Sequence, residues 1–282
     1  MMRRIGILLC DTDNPFWQEK REQYQRLAPL WDVIPEFRAP RAGNDPEEQR
    51  KVLEEMMGEG YDAIVINPLS STNLVPVVLH AGGTPLFDVG PKCDAAAVAG
   101  APGYHPVPVA DFREQGRVVA DELVSGLGKN PAGWALILGG FRDAMHSEAR
   151  CRGAFHAFAK VFPQDRILTG YADFCRKKAH GFVHGLLAAL PDMRVIFCAN
   201  DLMALGALQA VEERGGCIPP VGGIDAIPEA MEAVRGGRLF CTAGIVQEEV
   251  VRLVYGTIDQ WFGKGAGLGN PLLPPVVYRR KG

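Results

Sequence analysis

The 282-residue chain has no surplus of either charge: 30 lysines and arginines stand against 33 aspartates and glutamates, for a formal charge of −3. Nucleic-acid binding leans on Lys and Arg to neutralise phosphates, so nucleic acid is not the default partner. The seven cysteines, at 10, 93, 151, 175, 198, 217 and 241, include no CxxC pair. Scattered in this way they exclude a zinc ribbon and a disulfide framework, and they read as small buried hydrophobes. No stretch approaches the roughly 18 apolar residues of a membrane span, so direct insertion into a membrane is not expected. The first apolar run, Ile5 to Cys10, ends at Asp11, short of the about 7 to 15 residues of a signal-peptide core. A lipid-modified Cys10 would need the same missing core in front of it, and the run reads as a strand.

Enzyme signatures are also missing. The chain contains no GxSxG, no HExxH, no GxxxxGK[ST] and no GxGxxG after a strand, and nothing sets a nucleophile beside a base. The glycines at 263, 265, 267 and 269 follow a helical segment and read as a turn. His180 and His184 are spaced to share a helix face, which can hold a metal, but no third ligand is near in sequence. They read as solvated or capping histidines. Neither a metal nor a cofactor is expected.

Short apolar runs alternating with longer amphipathic ones are present throughout, the pattern of βαβ units feeding parallel sheets. The length corresponds to about two domains of ordinary size, and no Ser/Gly-rich or Pro-rich linker separates them. Strands are predicted at Ile5 to Cys10, Val33 to Phe37, Ala63 to Ile66, Pro85 to Phe87, Ala135 to Leu138, Ile167 to Tyr171, Val195 to Cys198, Val221 to Ile224, Leu239 to Thr242 and Val276 to Tyr278. Helices are predicted between them, among them Phe16 to Ala28, Leu74 to His80, Phe112 to Leu127, Glu148 to Lys160 and Leu202 to Glu213. The stretch Asp88 to Asp111, rich in Gly, Pro and Ala, is helix-poor.

Polar residues recur where predicted strands end, the place at which open α/β sheets form a ligand crevice. Asp11, Asp13 and Asn14 follow the first strand, Asn67 the third and Asp88 the fourth; Asn200, Asp201 and Asp225 do the same in the second half. Each taken singly also reads as a helix cap or turn residue. Phe16 and Trp17 come directly after Asn14 and Pro15. Neighbouring helical residues point about 100° apart, so both cannot face the core equally. Trp17 is a candidate stacking surface for the C–H face of a sugar ring, while Phe16 is open to either a core or a site role.

These blocks, in order, resemble the type I periplasmic sugar-binding proteins, the ribose- and galactose-binding group. The similarity rests on Ile5-Gly6-Ile7 with Asp13-Asn14-Pro15-Phe16-Trp17, Val65-Ile66-Asn67-Pro68, Pro85-Leu86-Phe87-Asp88, Arg150 with Gly153, Ala172-Asp173-Phe174, Ala199-Asn200-Asp201 with Met203 to Leu208, and Gly223-Ile224-Asp225. It implies an α/β protein of two Rossmann-like lobes with parallel sheets and three hinge crossings, near Ala110-Asp111, Ile245-Val246 and Asn270 to Leu273. The implied lobes are residues 1–110 plus 246–272 and residues 111–245 plus 273–282. It further implies a sugar or polyol bound between the lobes by Asn14, Phe16, Trp17, Asn67 and Asp88 from the first and by His146, Arg150, Phe174, Asn200 and Asp225 from the second. Arg150 would hydrogen-bond the sugar and Phe174 would stack opposite Trp17.

The chain departs from the group's pattern at four places. Val89 stands where ribose-like members carry a sugar-binding arginine and Ile245 where they carry a glutamine. Cys10 replaces a polar residue, and His146 stands where the galactose-binding type has a carboxylate. The resemblance therefore implies a ligand with fewer hydroxyls than ribose or glucose. The implied function is that of a monomeric, non-enzymatic solute receptor, which closes on its ligand and delivers it to an ABC permease or chemoreceptor. The alternatives are the effector-sensing domain of a LacI-type regulator, disfavoured because the first strand begins at residue 4, and a small-molecule α/β enzyme using Asp88, Asp225 and Arg150. The expected location is the periplasm, with an export leader outside this numbering; the cytoplasm is the alternative.

Overall fold

The computed structural model describes residues 2–125, 127, 132–216, 218–263 and 272–280. Cys217, Asn270 and the glycines at 265, 267 and 269 lie outside the described residues. In chain order the elements are β1 (Arg3–Leu8), α1 (Pro15–Leu27), β2 (Val33–Arg38), α2 (Pro46–Met57), β3 (Ala63–Ile66), α3 (Val75–Val78), β4 (Leu86–Val89), β5 (Tyr104–Val107) and α4 (Phe112–Ser125). There follow β6 (Trp134–Gly139), α5 (Met145–Phe158), β7 (Ile167–Tyr171), α6 (Arg176–Ala189), β8 (Met193–Cys198) and α7 (Asp201–Arg214). The last are β9 (Val221–Ile224), α8 (Pro228–Arg235), β10 (Cys241–Gly244), α9 (Gln247–Trp261) and β11 (Val276–Arg279).

The chain divides into two compact units. Unit 1 comprises Met1–Ala110, Asp143–Met145 and Val246–Leu273, and unit 2 comprises Asp111–Arg142, His146–Ile245 and Pro274–Gly282. The expected division puts 143–145 and Leu273 with the second lobe. They cluster with unit 1 because the Ser71 amide donates to the Asp143 carbonyl at 3.0 Å and the Leu273 amide to the Val109 carbonyl at 2.9 Å.

Unit 1 is built on a five-stranded sheet of order β2-β1-β3-β4-β5, parallel throughout. Unit 2 has a six-stranded sheet of order β11-β10-β9-β8-β6-β7. Its strands run parallel except β11, which pairs antiparallel with β10 and so departs from the expected all-parallel sheet. In each sheet the second strand flanks the first and the third lies on the first strand's other side. The topological switch points, where such sheets place ligands, therefore fall between β1 and β3 and between β6 and β8. β3 and β9 are buried end to end, as strands covered on both faces must be.

Local chemistry explains three of the helix starts. Asn14 caps α1 by accepting from the Phe16 amide, and Pro15 occupies the first turn, where no amide is needed. Asp45 and Pro46 do the same for α2, and Asn200 caps α7 through the Met203 amide. In unit 2, α4 and α5 touch backbone to backbone through a pair of glycines. A Cβ on Gly116 would lie 1.9 Å from the Arg150 carbonyl oxygen, and one on Gly153 2.0 Å from that of Arg113. This contact brings Arg150 against α4.

Several boundaries differ from expectation for identifiable reasons. β1 begins at Arg3, paired with Val33, and ends at Leu8, so Cys10 lies past the strand, where its carbonyl accepts from the Asn44 amide. Asp88 is inside β4 rather than after it. The stretch 88–111 contains β5, whose His105 and Pro106 hide it from a hydropathy reading and are tolerated on an edge strand. The segment Leu74 to His80 forms only the single turn α3, and the strand expected at Leu239 to Thr242 is shifted to Cys241–Gly244.

Candidate ligand-binding site

In unit 1 the ends of β3 and β4 gather a set of buried polar groups. Asn67, at the end of β3, is fully buried. Its Nδ2 donates to the Leu8 carbonyl at 3.0 Å, and its own carbonyl accepts from the Cys10 thiol at 3.0 Å and Gln49 Nε2 at 2.9 Å. Burial pushes the Cys10 thiol up to about 12, so it is a neutral donor. Asp88, also 0% exposed, receives the amides of Lys92 (2.8 Å) and Cys93 (2.9 Å) and the Tyr104 hydroxyl (2.8 Å), all on Oδ2. Burial, followed by the Asp88 carboxylate, pushes the Tyr104 phenol up and keeps it protonated. The remaining oxygens, Asn67 Oδ1 and Asp88 Oδ1, are buried and have no hydrogen-bond partner among the described residues. Such atoms are costly unless something satisfies them.

The aromatic pair stands at the start of α1. Phe16 and Trp17 meet edge to face with ring centroids 4.9 Å apart, and the Lys20 ammonium, one turn on, lies 5.2 Å from one ring centroid and 5.1 Å from the other. Trp17 is the more buried of the two, at 9% exposed, and Phe16 retains more surface. Asn14 is buried, with its side-chain oxygen engaged by the Phe16 amide.

In unit 2 the corresponding strand ends carry charge. Arg150 is 7% exposed; its Nε donates to Gln115 Oε1 at 3.0 Å, its Nη1 to the Ala199 carbonyl at 2.8 Å and its Nη2 to Asp225 Oδ1 at 3.4 Å. The guanidinium also lies 5.6 Å from the Phe112 ring centroid. Burial lowers its pKa, opposed first by the carboxylates of Asp225 and Asp201, and an arginine remains charged in such a setting. The Phe174 ring stacks on His146, with centroids 5.2 Å apart and planes 4° from parallel, and the edge of Phe141 meets it at 5.9 Å. Asn200, the α7 cap, places its Nδ2 3.5 Å from the Phe174 carbonyl.

Of the residues expected at the site, the structure brings Asn67 and Asp88 to adjacent strands β3 and β4 and Phe16 and Trp17 into contact, all within unit 1. Within unit 2 it links Arg150 to Asp225, and His146 to Phe174 and Phe174 to Asn200. His180 and His184 are elsewhere: their rings stack at 6.0 Å, and His180 Nε2 pairs with Glu213 at 2.7 Å. No group of three or more metal-ligating side chains occurs among the described residues.

This arrangement of polar and aromatic groups at strand ends accompanies a match to a known family. The chain matches the periplasmic binding protein domain over residues 5–260. The chain belongs to the periplasmic binding protein family. It is 31% identical to the D-allose-binding periplasmic protein of Escherichia coli K12, over 84% of this chain and 77% of that protein. It is 28% identical to the xylitol-binding protein of Mycolicibacterium smegmatis, over 86% and 67% of the two chains. Among solved structures, an ABC transporter periplasmic solute binding protein from Actinobacillus succinogenes 130z with bound D-allose superposes with a TM-score of 0.86 at 27% identity, covering 99% of this chain and 98% of that one. These relatives are binding proteins.

Relative to this family pattern, several supporting residues escaped the sequence reading. Gln49 donates to the carbonyls of Leu9 and Asn67 and accepts from the Leu69 amide, and Gln115 orients Arg150. Both were signalled by one feature: each glutamine sits on the apolar stripe of its helix, with Leu53 and Met56 in α2 and with Val119 and Leu123 in α4. A polar residue in such a position needs a buried partner. Tyr104 was hidden along with β5. Val89 and Ile245, the two apolar departures, are buried and half-buried.

Proposed function

We propose that this periplasmic binding protein is a non-enzymatic solute receptor for a small, uncharged sugar or polyol. Asn14, Phe16, Trp17, Asn67 and Asp88 contribute one half-site, and His146, Arg150, Phe174, Asn200 and Asp225 the other. Binding closes the protein, a periplasmic monomer, and an ABC permease or a chemoreceptor reads the closed form. The observation that carries the reading is the pair of buried oxygens, Asn67 Oδ1 just past β3 and Asp88 Oδ1 on the neighbouring β4, suited to accept ligand hydroxyls. The relatives that bind D-allose and xylitol support the substrate class.

Val89 and Ile245 remove two polar contacts that ribose-like members make, so the ligand has fewer hydroxyls to satisfy than ribose or glucose. Each unmatched polar group in a closed site costs about 1 to 3 kcal/mol. Calorimetric titration with D-allose, xylitol, ribose and glucose, together with mass spectrometry of any molecule that copurifies, tests the reading. Saturable binding without turnover is expected, weaker for ribose and glucose than for the natural ligand. Turnover of a sugar would point to the enzyme alternative, and tight binding of ribose or glucose would contradict the restricted ligand.

A further inference from the structure

Asp201 opens α7, and an acidic residue there could serve the helix N-terminus alone. Its side chain is engaged elsewhere. Oδ1 accepts from the Thr242 hydroxyl of β10 at 2.6 Å, and Oδ2 accepts from the Ile227 amide at 2.9 Å, with the Ala226 amide also directed at the carboxylate. The Ala226 amide donates in addition to Thr242 Oγ1 at 3.3 Å. Asp201 and Thr242 therefore hold the backbone that follows β9.

That backbone is strained. Asp225 has φ 123° and Ala226 φ 58°, two consecutive non-glycine residues in a region that side chains disfavour and that persists only where surroundings over-determine it. Space for the clamp is reserved on β9 itself: a Cβ on Gly223 would lie 2.3 Å from Asp201 Oδ1. The turn in its turn puts Asp225 Oδ1 3.4 Å from Arg150 Nη2.

We propose that Asp201 is a positioning residue of the unit 2 half-site: through Thr242 and the amides of Ala226 and Ile227 it holds the strained turn that presents Asp225 to Arg150. The consequence for ligand binding rests on the solute-receptor reading; the holding of the turn does not. The groups facing Asp201 are Arg150 from α5, Asp225 after β9, and the thiols of Cys198 on β8 and Cys241 on β10. Burial pushes both thiols up, so they stay neutral. Burial, then the Asp225 carboxylate, pushes Asp201 up to about 7, against the hydrogen bonds from Thr242, Ile227 and Ala226. Protonation adds a donor to the carboxyl and lets the Thr242 hydroxyl reorient to accept from it, so the clamp is expected to respond to pH.

Nuclear magnetic resonance of the ligand-free protein tests this. In the wild type, the Asp201 carboxyl carbon, the Ala226 and Ile227 amides and the Arg150 guanidinium are expected to shift with one shared midpoint near neutrality. In Asp201→Asn, which can keep both hydrogen-bond directions once Thr242 rotates, the amides and the guanidinium lose that midpoint while the fold is retained. Thr242→Val removes a donor to the carboxylate, so the midpoint moves upward and amide exchange at Ala226 accelerates. Amide and guanidinium resonances that ignore Asp201 in the wild type, or that behave identically in both variants, overturn the proposal. Calorimetry with D-allose and xylitol as probes at pH 6 and pH 8 forms the second arm. Loss in Asp201→Asn of a pH dependence seen in the wild type extends the role to binding, and a pH dependence kept in the variant confines Asp201 to holding the turn, whereas turnover of either probe counts against the solute-receptor reading and leaves the resonance test intact.

Discussion

Unit 1 and unit 2 share the strand order in which the second strand flanks the first, yet they stabilise their buried polar side chains differently. In unit 1 the Asp88 carboxylate is held by two main-chain amides and a phenol on one oxygen, with the other oxygen without a partner among the described residues. In unit 2 the Asp225 carboxylate meets a guanidinium that is itself tied to α4 through Gln115 and to the end of β8 through Ala199. The topology thus brings acidic residues to equivalent strand ends, and the side chains packed around them determine whether the charge is offset by dipoles or by an opposite charge. An offset by dipoles survives loss of any one donor. A buried ion pair does not survive loss of a partner, because the remaining charge is left desolvated.

The sharpest break of the comparison is Arg150→Ala. It removes the guanidinium from Asp225, Gln115 and Ala199 together and is expected to cost about 3 to 5 kcal/mol, with faster hydrogen exchange confined to peptides of unit 2. Exchange spreading equally through unit 1 would show that the two are not energetically separate. Next comes the pH dependence carried by Asp201. Its folded pKa of about 7 lies above the ordinary carboxyl value of 3.8, so between those pH values the folded state binds more protons than the unfolded one. Stability from this group is therefore fully present below about pH 4 and falls as pH rises through 7, by up to about 4 kcal/mol. Urea unfolding should show Asp201→Asn gaining on the wild type from pH 4 to pH 7 and levelling off above it; a constant difference would refute the assignment.

Asp88→Ala is expected to cost about 3 kcal/mol, since it strands two amides and a phenol in a buried site, with faster exchange at the Lys92 and Cys93 amides of unit 1. The smallest effect belongs to Tyr104→Phe, which deletes one of the three donors and should cost about 1 kcal/mol by thermal or urea unfolding. A cost as large as that of Asp88→Ala would mean that the amides contribute little and that dipolar stabilisation is not what holds the unit 1 carboxylate.

Much of the frame was legible along the chain, because it depends on neighbours. The Asn14 and Asn200 caps reach amides two and three residues away, and the buried runs of β3 and β9 mark themselves as interior parallel strands. Strand limits and the edge strand were harder. β1 gains Arg3 and Arg4 at its start through pairing with β2, and the edge strand β5 carries His105 and Pro106, so its strand character comes from pairing with β4 rather than from its own composition. Phe16 and Trp17 were legible as a pair, but which of them keeps exposed surface depends on how α1 is rotated against its sheet.

The order of residues alone determined the α/β class, the alternation of strand and helix, and the arrival of amides and carboxylates near strand ends, since each follows from periodicity, turn chemistry and capping over a few residues. Tertiary structure decided which oxygens are engaged and which are open. Arg150 finds Ala199 49 positions away, Asp201 finds Thr242 41 away and Asp88 finds Tyr104 16 away. Contacts of that range form only when whole helices and strands pack, and in unit 2 the packing of α4 on α5 turns on the space left by Gly116 and Gly153.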